Sequence, residues 1–209
     1  TLIIVDVPRV EAEGRSFVYS TIPLGILFND EAIVTVTLNE SPIINDFIKG
    51  RVKSFYTFKK TRFILQLLYK NATRFLMYLK QIDKASTAVQ NELHKSMKNK
   101  ELIQLLSLEK SLVYFSTSLT SNEMVLDKMM KLGYIKKYQD DVDLLEDVIV
   151  ENKQAIEMCN IYRDILSGTM DAFASVISNN LNIVMKMLTA ITIIISIPTL
   201  IASIWGMNV

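Results

Sequence analysis

From Met187 to Val209 the chain carries no charged residue. No other feature constrains the fold as tightly, because about 17–25 apolar residues are what a helix needs to cross the hydrocarbon layer of a bilayer. The run is not uniformly apolar. Thr192, Ser196, Thr199 and Ser203 recur at steps of four, three and four, which places them on one face of a helix. Toward the N-terminus the same face collects Met185, Asn182, Ser178 and Asp171. Small hydroxyl residues also promote tight helix packing, and that is the competing reading of the stripe. Asn182 and Asp171 favour a water-filled path, since such groups are costly in a membrane unless they meet water or each other. Pro198 removes one main-chain hydrogen bond and predicts at most a kink, which membrane helices tolerate.

The rest of the composition mostly excludes. Half of the 209 residues are apolar and the surplus lies at the C-terminus, which favours a membrane span over a large soluble core. The formal net charge of +1 predicts no nucleic-acid surface. Cys159 and His94 are each the sole residue of their type. That excludes an intrachain disulfide framework, a multi-cysteine zinc site, a histidine-rich metal site and a catalytic triad within one chain; both residues are expected to be structural or exposed. Nothing reads as a phosphate-cradling glycine loop, a nucleophile elbow or paired catalytic groups. The reading is therefore not an enzyme, with no organic cofactor. The chain opens TLIIVDVPRV, strand-like and without a signal peptide or initiator Met, so a part of a longer protein is expected, with further membrane sequence beyond its end. Lys186 is the last cation, and positive charge on one side of a span marks that side as cytoplasmic.

Residues 2–7 read as a short strand ending at Pro8. Residues 16–28 and 32–38 read as a pair joined by a turn at Asn29-Asp30-Glu31. Thr35, Thr37 and Asn39 alternate with Val34, Val36 and Leu38, predicting a wet threonine face and a buried apolar one. Ser41 as N-cap and Pro42 at the first helical position open a short helix that runs to about Gly50. Residues 61–97 and 101–131 read as two long helices joined by a turn at Lys98-Asn99-Lys100, packed antiparallel. A further break is expected between Gly133 and Tyr138.

The longest helix follows. Val142, Leu145, Ile149, Ile156, Cys159, Leu166, Met170, Phe173, Ile177, Leu181, Val184 and Leu188 recur mostly in steps of three and four, with Asn152 and Arg163 as polar intruders. A heptad-like seam of this kind running into the apolar segment predicts one helix from about Asp140 to Trp205, on the order of 100 Å at 1.5 Å per residue. Such a helix is expected to need sister subunits to bury its seam. At its start lie Asp140, Asp141, Asp143, Glu146, Asp147 and Glu151. Carboxylates near a helix N-terminus are favoured by its dipole, and oxygen-rich clusters also suit Mg²⁺ or Ca²⁺. Both readings stand.

At Gly206-Met207-Asn208 the apolar helix ends in a short string with a precedent. The segment MKMLTAITIIISIPTLIASIWGMNV resembles the first transmembrane helix of the CorA-type magnesium transporters, which closes on a Gly-Met-Asn motif. LLSLEKSLVYFSTSLTSNEMVLDKM and YRDILSGTMDAFASVISNNLNIVMK resemble that family's helical region, and IPLGILFNDEAIVTV its cytoplasmic sheet, so the likeness covers nearly the whole chain. The resemblance implies a homopentameric, channel-like carrier of Mg²⁺ in the cell membrane, with a cytoplasmic N-terminal domain and two membrane helices per subunit, the first lining the pore. It implies that Gly206, Met207 and Asn208 form the outer mouth, that Thr199, Leu188, Asn182 and Asp171 face the pore, and that Leu188 is a hydrophobic constriction. It also matches Asp147 to an acidic stalk position that helps form a regulatory Mg²⁺ site between subunits in some members; Asp140, Asp141, Asp143, Glu146 and Glu151 are the further acidic candidates. Ser196 stands where some members carry a bulky apolar residue, and Pro198 is displaced by one from its place in others. The acidic loop and second membrane helix of the family would follow Asn208.

The expected fold class is thus α+β/α: a small sheet-and-helix cytoplasmic domain, long antiparallel helices, and a very long stalk helix continuing into one transmembrane helix. The expected divisions are 1–60, 61–139, 140–186 and 187–209. Expected partners are sister copies, divalent cations and lipid, with no nucleic acid. Transport of cobalt, nickel or zinc on the same architecture is the alternative within the class. A non-transporting, membrane-anchored helical scaffold is the alternative outside it.

Overall fold

A computed structural model of the chain describes residues 1–13, 16–53, 55–96, 99–131 and 138–206. Three strands, β1 (Leu2–Glu13), β2 (Ser16–Phe28) and β3 (Ile33–Thr37), form one antiparallel sheet in the order β1-β2-β3. Four helices follow: α1 (Pro42–Ile48), α2 (Lys60–Ser96), α3 (Asn99–Lys131) and α4 (Gln139–Gly206). The chain forms two compact units, Thr1–Ser167 and Gly168–Val209. The expected architecture of sheet, long helices and a very long last helix is the one observed.

In the first unit the strands show how register reconciles proline with a sheet. β1 continues through Pro8 instead of ending there, because Pro8 lies opposite Thr21 and Asp6 opposite Pro23. Thr1 and Phe28 exchange both main-chain hydrogen bonds, so by antiparallel alternation residues 6 and 8 of β1 sit at non-hydrogen-bonded pairs. Pro8 is on the edge strand with its nitrogen turned away from β2, where no ladder bond is lost. Pro23 is in the central strand, but β3 pairing stops at Leu24–Thr37, so its nitrogen also has no donor role to fill. The Asn29 turn forms as expected: the Asn29 Oδ1 accepts from Glu31 N at 2.9 Å and Ala32 N at 2.7 Å.

The face assignment of β3 is reversed. Val34, Val36 and Leu38 are exposed, and Thr35 and Thr37 are half-buried. The helices pack on the side that carries Ile3, Val5, Val7, Leu24 and Ile26, and β3 registers its threonines onto that side. The opposite face of the sheet, with Leu2, Ile4 and Leu27, is apolar and exposed.

α1 starts at Pro42 behind an extended Ser41, as the sequence predicts, although the Ser41 hydroxyl makes no capping bond. It ends at Ile48, and Gly50, two residues on, has a φ of +63°, a left-handed conformation that costs glycine little. α2 and α3 form the expected antiparallel pair. Phe75 and Phe115 meet edge-on at 5.0 Å between centroids, and Tyr19 of β2 packs on Phe115 at 6.2 Å, tying the helix pair to the sheet. The turn predicted at 98–100 falls partly, and the break at 133–138 mostly, outside the described residues.

The seam of α4 behaves differently from expectation. Between 141 and 166 it is buried inside its own chain: Asp141, Leu145, Val148, Asn152, Ala155, Cys159 and Leu166 are all shielded, at steps of three, four and seven. Asn152 satisfies itself by donating from Nδ2 to the Leu119 carbonyl at 3.1 Å, and Cys159 Sγ contacts the Leu112 carbonyl at 3.1 Å. This half of the seam is covered within the chain, by Arg62 of α2 at Asp141 and by α3 at Asn152 and Cys159. Farther along, Ile177, Leu181, Val184 and Leu188 are exposed.

Candidate functional site

The second unit is the C-terminal part of α4, and its side chains from Ala174 to Gly206 are all exposed. Ile193, Ile194, Ile195, Leu200 and Ile201 are each more than half exposed, and Trp205 reaches 87%. Large apolar side chains lose roughly 1.5–3 kcal/mol each when left in water, so a helix of this composition belongs in lipid or against other helices. It is the one described helix long and apolar enough to cross a membrane.

Most of its polar residues fall on two interleaved seven-residue combs, with Thr169, Asn179, Asn180 and Lys186 off them. Asp171, Ser178, Met185, Thr192, Thr199 and Gly206 form one; Ser175, Asn182, Thr189, Ser196 and Ser203 form the other, four residues on. Leu188 lies on the flank of the first. Seven residues fall about 20° short of two straight helical turns, so a strict seven-residue repeat stays on one side only when helices wrap with a left-handed twist. The pattern thus carries the geometry of a bundle. Ser175 and Thr189 join the face named from the sequence, each seven residues from Asn182.

The hydroxyls on these combs share one hydrogen-bond habit. Ser175, Thr189, Thr192, Ser196 and Thr199 each donate to the carbonyl four residues earlier, at 3.0, 2.8, 2.8, 2.7 and 2.8 Å. This satisfies the donor within the helix and leaves oxygen lone pairs facing outward. A line of acceptors with its donors turned inward is suited to the waters around a cation and poorly suited to an anion. Asn182 adds an exposed amide and Asp171 an exposed carboxylate. Pro198 lies inside α4 without ending it. Gly206 is the last residue of the helix; Met207 and Asn208 lie outside the described residues.

The acidic residues at the start of α4 separate into two groups. Asp140, Asp143, Asp147 and Glu151 share one face, at steps of three, four and four, with the first three exposed and Glu151 half-buried. Glu146 is exposed beside them. Asp141 points the other way, buried and ion-paired to Arg62 at 3.5 Å. Burial pushes its carboxyl above the usual carboxylate range, against the lowering effect of Arg62. Asp143 accepts a 2.7 Å bond from Gln139. Among the described residues no three histidine, cysteine, aspartate or glutamate side chains converge as metal ligands. Cys159 is buried and its thiol is pushed up to about 11 by burial, so it is a packing residue. The side chain of His94 lies outside the described residues.

These features define a chain in which a helix long and apolar enough to cross a bilayer begins inside a folded unit of sheet and helices. The family model of the CorA-like Mg²⁺ transporter protein matches residues 1–209. The cobalt/magnesium transport protein CorA of Methanocaldococcus jannaschii is 28% identical over 228 residues, covering 97% of this chain and 69% of its own. The protein of the same name from Thermotoga maritima is 28% identical over 134 residues, covering 64% of this chain and 38% of its own. The complete structure of the M. jannaschii CorA magnesium transporter superposes with a TM-score of 0.84 at 25% identity, over 100% of this chain and 65% of that one. The chain belongs to the CorA-like Mg²⁺ transporter family.

Proposed function

We propose that the protein built from this chain carries Mg²⁺ across the cell membrane through a pore lined by the C-terminal half of α4, five copies contributing one helix each. The observation that carries the reading is the double comb of outward-facing oxygens on an otherwise wholly exposed apolar helix, in a chain of this family. Mg²⁺ binds its waters tightly and sheds them reluctantly. A wall that accepts hydrogen bonds from those waters lets the ion pass hydrated, without the cost of stripping it. Asp171 and Asn182 attract the ion at one end of the wall. Gly206, Met207 and Asn208 form the mouth at the other, where the Asn208 amide oxygen accepts from bound water. Leu188 closes the path by excluding water when five copies approach one another.

In the same reading the exposed acidic face of α4 is the regulatory element. Asp140, Asp143, Asp147 and Glu151 repel each other and their counterparts on a sister copy, and cytoplasmic Mg²⁺ relieves that repulsion by bridging subunits. The oxygen donor set suits the ion. The remaining ligands would come from the neighbour, since among the described residues no three of them come together. Asp141, paired with Arg62 on another face of the helix, has no part in this reading. Loss of the bridging ion lets the stalks separate and the Leu188 ring hydrate. Both curated relatives carry cobalt beside magnesium in their names, which makes Co²⁺ the second substrate reading.

The test is Mg²⁺ uptake into liposomes by the complete protein and its Asn208→Ala variant, with a fluorescent indicator inside. The reading predicts uptake that the variant loses; equal rates would refute the proposed mouth. For regulation, Asp147→Asn is expected to weaken protection from protease by Mg²⁺, and unchanged protection would refute the sensor.

A further inference from the structure

A second site lies in the first unit, where the segment after α1, the start of α2 and the start of α4 meet. A half-open pocket of about 390 Å³ is lined by Arg51, Lys53, Arg62, Gln66, Tyr69 and Lys70, with Val52 and Leu144 as its apolar wall. Four of its eight lining residues are cations and none is an acid. Two of the four charges are offset: Arg51 pairs with Asp46 at 3.3 Å and Arg62 with Asp141 at 3.5 Å. Asp46 is also held by Arg74. Lys53 and Lys70 make no ion pair among the described residues. The two unpaired lysines leave the lining with a net positive charge, which favours an anion in the cavity.

We infer that this pocket binds a soluble polyphosphate anion of nucleotide size. The volume lies within the range of small-molecule sites, roughly 300–1,000 Å³, and exceeds what a lone phosphate needs. Lys53 and Lys70 act as point charges for the phosphoryl oxygens, and the Arg62 guanidinium offers planar donors at the edge of its pairing with Asp141. The Tyr69 ring with Val52 and Leu144 supplies an apolar wall for the non-phosphate part of the molecule. The site is independent of the ion path: it uses no residue of the polar combs.

Equilibrium dialysis of the detergent-purified complete protein, in EDTA, tests this with ATP and with inorganic pyrophosphate. Both are expected to bind saturably, below about 1 mM, at one site per chain. Lys53→Ala/Lys70→Ala is expected to weaken both at least about tenfold with an unchanged circular-dichroism melt, while Lys53→Arg/Lys70→Arg retains binding. Absence of saturable binding by either anion overturns the assignment, as does binding that ignores the double alanine change. Binding of glycerophosphoglycerol, a lipid-headgroup diester, without binding of pyrophosphate also overturns it.

Discussion

Asn122 of α3 and Asn71 of α2 both reach the main chain of Asp6 in β1, and the difference between them yields a sharp prediction. Asn122 accepts from Asp6 N at 2.8 Å and donates to Asp6 O at 2.8 Å. Asn71 donates to the same Asp6 O at 2.8 Å, while its own Oδ1 is buried without a partner. Asn122→Leu therefore strands the Asp6 N–H, at about 1–3 kcal/mol for a buried unsatisfied donor. It also removes the bond to Asp6 O, about 1 kcal/mol, and the added apolar burial offsets roughly 1 kcal/mol of the loss. A net cost of about 1–3 kcal/mol is expected. Asn71→Leu removes one bond but leaves Asp6 O bonded to Asn122 and abolishes an unpartnered oxygen, so its cost is expected to stay within about 1 kcal/mol. Guanidinium unfolding of the detergent-purified protein, followed by far-ultraviolet circular dichroism, measures both. Equal costs for the two variants, or a cost below about 0.5 kcal/mol for Asn122→Leu, would refute the reasoning.

Three further outcomes follow from the same structure. Asp141 has a folded-state pKa raised by burial, so the native chain takes up its proton more readily than the unfolded one. Its contribution therefore declines as pH rises from the ordinary carboxylate range through the raised value; Asp141→Asn should flatten that decline in stability–pH curves, with Arg62 left half-exposed to solvent. With its thiol near 11, Cys159 should resist maleimide at pH 8 and label only on unfolding, in a mass-spectrometric time course. Thr189→Val should lower Mg²⁺ flux several-fold while Thr189→Ser preserves it, because only the outward oxygen differs in kind.

The helices were legible in the sequence because their apolar positions recur with the helical period over several turns, and this signal survives ignorance of the partner. Strand faces were less legible. In β3 valines and threonines alternate cleanly, yet the face that turns inward is set by where α2 and α3 pack, and both sheet faces carry enough apolar surface to serve. Pro8 misled for a related reason: whether a proline breaks a strand depends on pairing parity, which a single strand does not reveal. Asp141 and Asp147 look alike in sequence, and what distinguishes them is Arg62 on another helix. The heptad seam was visible, but not that its first half is covered within the chain. The polar comb was legible because its spacing is local to one helix; Ser175 and Thr189 stand out only when the seven-residue repeat is followed from Asn182 in both directions.

The central claim is that one face of the apolar half of α4 meets the ion and the opposite face does not. Cysteine substitution tests it directly, since buried Cys159 leaves a silent background. Thr192→Cys, Thr199→Cys and Ser196→Cys are placed on the combs; Met187→Cys, Ile194→Cys and Ile201→Cys form a comb on the opposite side. Mg²⁺ flux into liposomes is then measured before and after a charged methanethiosulfonate reagent. The account predicts block at 192, 196 and 199 and unchanged flux at 187, 194 and 201. Block on the second comb with the first unaffected, or equal block on both, would contradict it.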